Sequence, residues 1–137
     1  MRFDAFGLEV LDRDECIRLL ASVPLGRVVF TDRALPAIQP VNFTLDGTDV
    51  ILRIATGSKL AAAVRSTVVA FEADAFDQDE GTGWSVTLVG HARLVNSPEE
   101  INRLSGLPLQ QWAPGPSDRY VRISGHVSGR RIQPAAA

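Results

Sequence analysis

The sequence predicts a mainly β fold with peripheral helices, built as an antiparallel barrel. Three observations lead there. The chain divides into about six or seven β-rich runs and only a few short helical segments. The runs are joined mostly by tight turns such as Asp46-Gly47, a hairpin signal. Helices interrupt the strands at two points, so the pattern is not βαβ alternation.

Met1–Val10 has no strong pattern and reads as an arm on the surface. Asp12 is a helix N-cap with Glu15 three residues on, close to a capping box. Cys16, Leu19, Leu20 and Val23 follow at helical spacing, and Pro24 stops the helix. Gly26–Thr31 is a short strand and Asp32–Ala34 a turn. Leu35–Leu45 is the next strand, in which Pro40 marks an edge, a bulge or an interruption because proline cannot donate to a ladder. Val50–Thr56 returns antiparallel to it. Alternation puts Val50, Leu52, Ile54 and Thr56 on one face and Ile51, Arg53 and Ala55 on the other. An Ala-rich helix runs from about Lys59 to Arg65, with Leu60 and Val64 as its apolar contacts.

Thr67–Ala73 is a strand, and the acidic stretch Asp74–Gly83 reads as a solvated loop. Trp84–Val95 is a long β run. Gly90 within it signals a bulge or a close approach. Ser97-Pro98-Glu99-Glu100 starts a helix with its cap, its proline and its acid in the favoured positions, and Gly106 ends it. Leu107–Ser117 is a loop with Trp112 as an aromatic anchor. Asp118–Ser124 and Val127–Ile132 read as two final strands around Gly125 and His126, and Gln133–Ala137 as a frayed tail.

The 137 residues suit one domain. A net charge of −2 offers no basic excess for nucleic acid. No apolar run reaches the roughly 18 residues of a membrane span, and no signal-peptide pattern opens the chain. The single cysteine, Cys16, rules out an internal disulfide, fits a reducing cytoplasm and reads as a packing residue. No Ser-His-Asp order, metal-binding histidine pair or Walker loop is present.

One stretch offers chemistry. In Arg53–Arg65 a strand feeds a short helix through Thr56-Gly57-Ser58-Lys59. Gly57 permits close approach, Thr56 and Ser58 bring hydroxyls, and Lys59 brings charge. Backbone N–H groups at a helix start favour an anion, and a phosphate monoester of about −1.5 to −2 charge suits them. An N-capped helix with a solvated lysine explains the same residues.

In order and spacing, five pieces resemble the pyridoxamine 5′-phosphate oxidase-like FMN-binding split-barrel family. They are Gly26–Thr31, Gln39–Phe43, Ala55–Leu60, Val69–Asp74 and Gly83–Arg93, and the likeness spans about residues 12–132. The resemblance implies a six-stranded split barrel that works as a cytoplasmic homodimer, with flavin mononucleotide (FMN) in a cleft between subunits. Carried over, Thr56, Ser58 and Lys59, within Ala55–Leu60, would hold the phosphate. Gln39, Pro40, Val41 and Asn42 would run beside the flavin ring, and Trp84, Gly90 and His91 of the partner would close the ring side. The implied activity is flavin-dependent oxidoreduction of a small molecule. The pattern is most similar to short actinobacterial-type members. It lacks the arginine-lysine pair of the true oxidases, and Gly129-Arg130-Arg131-Ile132 stands where they carry an Arg-x-His ending. The resemblance therefore points away from vitamin B6 oxidation. It leaves a reductase using the deazaflavin F420, or a non-catalytic flavin- or haem-binding protein, as alternatives.

Overall fold

A computed structural model describes residues 1–64, 67–109 and 118–134. The elements are β1 (Arg2–Phe3), β2 (Glu9–Leu11), α1 (Arg13–Leu20), β3 (Leu25–Asp32), β4 (Leu35–Asp46), β5 (Asp49–Ile54), α2 (Lys59–Ala63), β6 (Thr67–Asp77), β7 (Thr82–Leu94), α3 (Pro98–Leu104) and β8 (Arg119–Ile132). Strand neighbours run β8-β5-β4-β3-β6-β7, and a β7–β8 ladder joins the ends into a closed antiparallel ring. Closure pairs β7 with β8, two edges that an open six-stranded sheet would expose. The β1–β2 hairpin adds to the far half of β8 through Glu9↔Arg131 and Leu11↔Gly129.

Period-two alternation fills the barrel. Val28 and Phe30, Val41 and Phe43, Val50, Leu52 and Ile54, Val69, Phe71 and Ala73, and Val86, Leu88 and Ala92 are all buried in one cluster. Phe43 meets Phe71 edge-on, with ring centroids 4.7 Å apart. Helix α1 has the cap expected of it, with Asp12 Oδ1 accepting from the Glu15 N–H at 2.8 Å. It lays Cys16, Leu19 and Leu20 into the core. Burial pushes the Cys16 thiol up, which suits packing and not nucleophilic attack.

Ile51, on the opposite face of β5, is also fully buried. It packs with Val95 and Leu104 under α3. An ion cluster borders that contact. Arg122, only 8% exposed, donates to Asp46 at 2.6 Å, to Asp49 at 2.8 Å and to Glu100 at 2.9 Å. Arg103 donates to both oxygens of Asp46, and Arg93 to both oxygens of Glu100. The two guanidinium groups, Arg103 before Arg122, hold Asp46 well below the usual carboxylate range.

Several expectations change. Residues 74–77 and 82–83 belong to strands, so the acidic loop shrinks to the tip of a β6–β7 hairpin paired as far as Asp77↔Thr82. Two final strands become one, because β8 runs unbroken through Gly125. Met1–Val10 contains β1 and most of β2 and is not a bare arm. Trp112, Arg65 and the last three residues lie outside the described residues.

Gly90 makes no bulge, since the register runs straight through Gly90↔Gly125. A Cβ on Gly90 would stand 1.9 Å from the Ser124 carbonyl oxygen, and one on Gly125 2.1 Å from that of Val89. What approaches Gly90 closely is thus the backbone of β8, and a bound ring is not needed to explain this glycine. Gly90→Ala is expected to cost about 3 kcal/mol, the upper end for overpacking. Urea unfolding against the unaltered chain measures it.

Candidate functional site

The site begins where the barrel wall splits. From the Asp46↔Asp49 turn, β4 and β5 pair only as far as Phe43↔Leu52. Beyond that point β4 stays with β3, from Leu25↔Asn42 to Asp32↔Leu35. β5 stays with β8, to Ile54↔Arg119. Over Leu35–Asn42 the second edge of β4 therefore has no ladder partner among the described residues. Backbone carbonyls along this edge, at Pro36, Ile38 and Pro40, therefore make no bond to β5. Side-chain alternation divides the four candidates in this stretch. Val41 is buried on the core side with Gln39 half-buried beside it in the alternation, while Pro40 is exposed and Asn42 half-buried on the outer side. Asn42 donates to the Pro24 carbonyl at 3.4 Å.

After β5 the chain turns into α2. The Ser58 N–H donates to the Ala55 carbonyl at 3.1 Å, and Ser58 Oγ caps the helix by accepting from the Ala61 N–H at 3.1 Å. Helix α2 has five residues, and Leu60 is fully buried in the core. The Leu60 side chain thus packs into the core beneath the turn. Nothing lies within 4 Å of the position a Cβ would take on Gly57, so the turn is open there. Lys59 is largely exposed, with Nζ 3.8 Å from Asp32 at the end of β3.

Thr56 uses both of its donors on one anion. Its N–H reaches Asp118 Oδ1 at 3.0 Å and its hydroxyl reaches Oδ2 at 2.6 Å. The hydroxyl bond is the chief reason the Asp118 carboxyl titrates below its ordinary range. The Thr56 donors are therefore aimed to receive paired anionic oxygens, as a phosphate requires. In this structure the anion they meet is the Asp118 carboxylate. The capped helix is present as such, and the Thr56 donors are turned to the Asp118 carboxylate.

The three β7 candidates do not join this turn within one chain. Trp84 pairs with Ala75 and Arg131 and packs on the core. It lines an open cavity of about 800 Å³ with Phe76, Arg131 and Gln133. Following the ladders from Asp32 to Trp84 passes about eight residues of strand, roughly 25 Å. His91 is exposed on the outer face opposite Val68 and Ser124. Gly90 is sealed by Gly125.

That outer face also carries a charged cluster around Arg27. Arg27 of β3 stands directly opposite Pro40 on one side and Glu72 of β6 on the other. Its Nη1 is 3.1 Å from Glu72 Oε1 and 3.7 Å from Asp74 Oδ1. Burial, with Asp74 beside it, raises Glu72 to about 7 despite the guanidinium. The spacing Glu72-Ala73-Asp74 in a strand puts both acids on one face, a signal readable from the sequence. Nothing in the sequence singles out Asp118, which is 62 residues from Thr56.

Residues 12–133 match the family model described as pyridoxamine 5′-phosphate oxidase. The chain belongs to that family. An uncharacterized protein of Mycobacterium tuberculosis is 48% identical over 128 residues, covering 89% of this chain and 84% of the relative. The structure of a FAD-binding protein from Mycobacterium smegmatis superposes with a TM-score of 0.80 at 35% identity, covering 90% of this chain and 98% of that one. A FAD-binding protein from Mesorhizobium loti superposes at 0.75 with 18% identity, over 93% and 98%, and shows the shared fold alone. The expected split barrel of the pyridoxamine 5′-phosphate oxidase family is thus the architecture found here. No helix is long and apolar enough to cross a membrane among the described residues.

The raised Glu72 carboxyl makes a pH prediction. Folding raises its pKa from 4.5 to about 7, so the native state binds this proton more tightly than the unfolded chain. The stabilisation is complete below about 4.5 and is lost as pH rises through about 7. The thermal midpoint should fall between pH 5 and pH 8, as read by circular dichroism, and Glu72→Gln should flatten that fall.

Proposed function

We propose that this chain is a flavin-binding oxidoreductase that holds the cofactor's phosphate at the Thr56–Lys59 turn, between two copies of itself. The observation that carries this reading is the Thr56 N–H and hydroxyl converging on paired anionic oxygens, beside Lys59 and an open Gly57. The turn lies where the β4 and β5 ladders part, so an adjoining unpaired strand edge is available for the polar rim of a flat ring. The FAD-binding M. smegmatis relative supports the ligand class, since FAD contains the FMN group with the same phosphate next to its sugar chain.

When bound, the flavin supplies the electron transfer. Thr56 and Ser58 donate hydrogen bonds to the phosphate and Lys59 neutralises it. Pro40 and Asn42 present the outer side chains of the unpaired stretch, and the β4 backbone meets the ring's polar edge. Gln39 and Val41 support that stretch from the core side. A second copy brings Trp84 and His91 to a site that their distance and face keep them from completing within one chain. Ile38, Val68 and Val89, which are 68%, 57% and 49% exposed, form an apolar outer face suited to burial against that copy.

The test is titration of the purified chain with FMN, followed by visible absorption and fluorescence quenching. Saturable binding is expected, with Lys59→Ala weakening it by about tenfold or more, the worth of one charge-assisted contact. Unchanged affinity in that variant contradicts the phosphate site. Saturation by F420 with no response to FMN assigns the deazaflavin instead. Sedimentation should give the mass of two chains.

A further inference from the structure

We propose that Asp118 competes with the cofactor's phosphate for Thr56, and so sets how strongly the site discriminates phosphorylated from unphosphorylated flavins. This inference rests on the phosphate reading above and concerns a residue which that reading does not use.

Thr56 has one N–H and one hydroxyl hydrogen to give, and Asp118 takes both. An arriving phosphate receives neither until the carboxylate leaves. The two groups are also both anions, and at hydrogen-bonding range of the same residue they repel. Among the described residues no cation lies within ion-pair distance of Asp118. Its neighbour Arg119 donates to Asn96 at 3.0 Å. The negative charge on Asp118 is answered chiefly by the two Thr56 bonds, with a smaller electrostatic contribution from Arg119, and it stands against any second anion.

Displacement needs only a side-chain rotation. The Asp118 N–H is held by the Ile54 carbonyl at 3.2 Å, which continues the β5–β8 pairing and fixes the main chain. The carboxylate is exposed, so it can turn into water without a burial penalty. A phosphate dianion with Lys59 behind it wins this exchange at a cost in affinity. A flavin without phosphate leaves the Asp118–Thr56 pair closed and bears no such cost.

The experiment measures dissociation constants of FMN and riboflavin for the full chain and for Asp118→Ala and Asp118→Asn. Both variants should bind FMN more tightly, by about tenfold for alanine, with riboflavin affinity held within twofold. The asparagine variant keeps the size and one acceptor oxygen, so it reports on charge where the alanine variant loses stability. Unchanged or weaker FMN binding in both variants overturns the proposal, as does an equal gain for riboflavin. If Lys59→Ala weakens FMN while the Asp118 variants do nothing, the phosphate site stands and the competition falls. If none of the three alters FMN binding, both fall.

Discussion

At Gly90 and Gly125 two backbones touch, and the barrel closes through that contact. Strand β8 is 14 residues long and serves two edges, β5 with its first part and β2 with its last, while pairing β7 along most of its length. For one strand to do this, β7 and β8 must approach where their facing side chains would collide, and paired glycines remove both side chains. Once the ring is closed, the inward residues of its six strands share one core. The Arg122 cluster ties β8 to the β4–β5 turn and to α3, and so holds the far side of the same ring. A guanidinium this buried is tolerated because three carboxylates answer it.

Closure on the β7–β8 side leaves the discontinuity on the other. β4 and β5 separate after Phe43 and Leu52, each keeping its outer neighbour, and the chain spends the gap on a turn and a five-residue helix. Leu60 and Val64 anchor that helix in the core, so the turn before it is held on a firm base although its polar groups face outward. Ser58 is then fixed by a local cap and Thr56 by its long-range bonds to Asp118, and the lysine is left exposed at the surface beside Asp32. Two acids stand at this turn, Asp118 bonded to Thr56 and Asp32 3.8 Å from Lys59 Nζ.

Much of this was legible in the residues. Asp12, Ser58 and Ser97 act as caps where the sequence places them. The alternation of Val50, Leu52 and Ile54 runs into the core, and Asp46-Gly47 turns the hairpin, with Gly47 at φ 61°. The turn at Thr56–Lys59 stood out because hydroxyls, glycine and lysine fall together in sequence. What did not show was long-range. Asp118 meets Thr56 only because β8 returns beside β5, and no local pattern reports a register. Gly90 pointed to close approach but not to what approaches, since its counterpart Gly125 sits 35 positions away and reads locally as a turn. The stretch 74–83 misled because its charge resembles a loop, while its outward face in a long hairpin accommodates the same acids.

The central claim is that the Thr56–Lys59 turn grips the phosphate of a flavin laid between two copies of the chain. A crystal structure of the chain grown with excess FMN tests it most directly. The account predicts phosphate density bonded to Thr56, Ser58 and Lys59, the Asp118 carboxylate turned away, and the ring against Pro40 and Asn42 with a second copy covering it. Flavin bound with its phosphate elsewhere, or a single chain with the Asp118–Thr56 pair intact beside bound flavin, would contradict it.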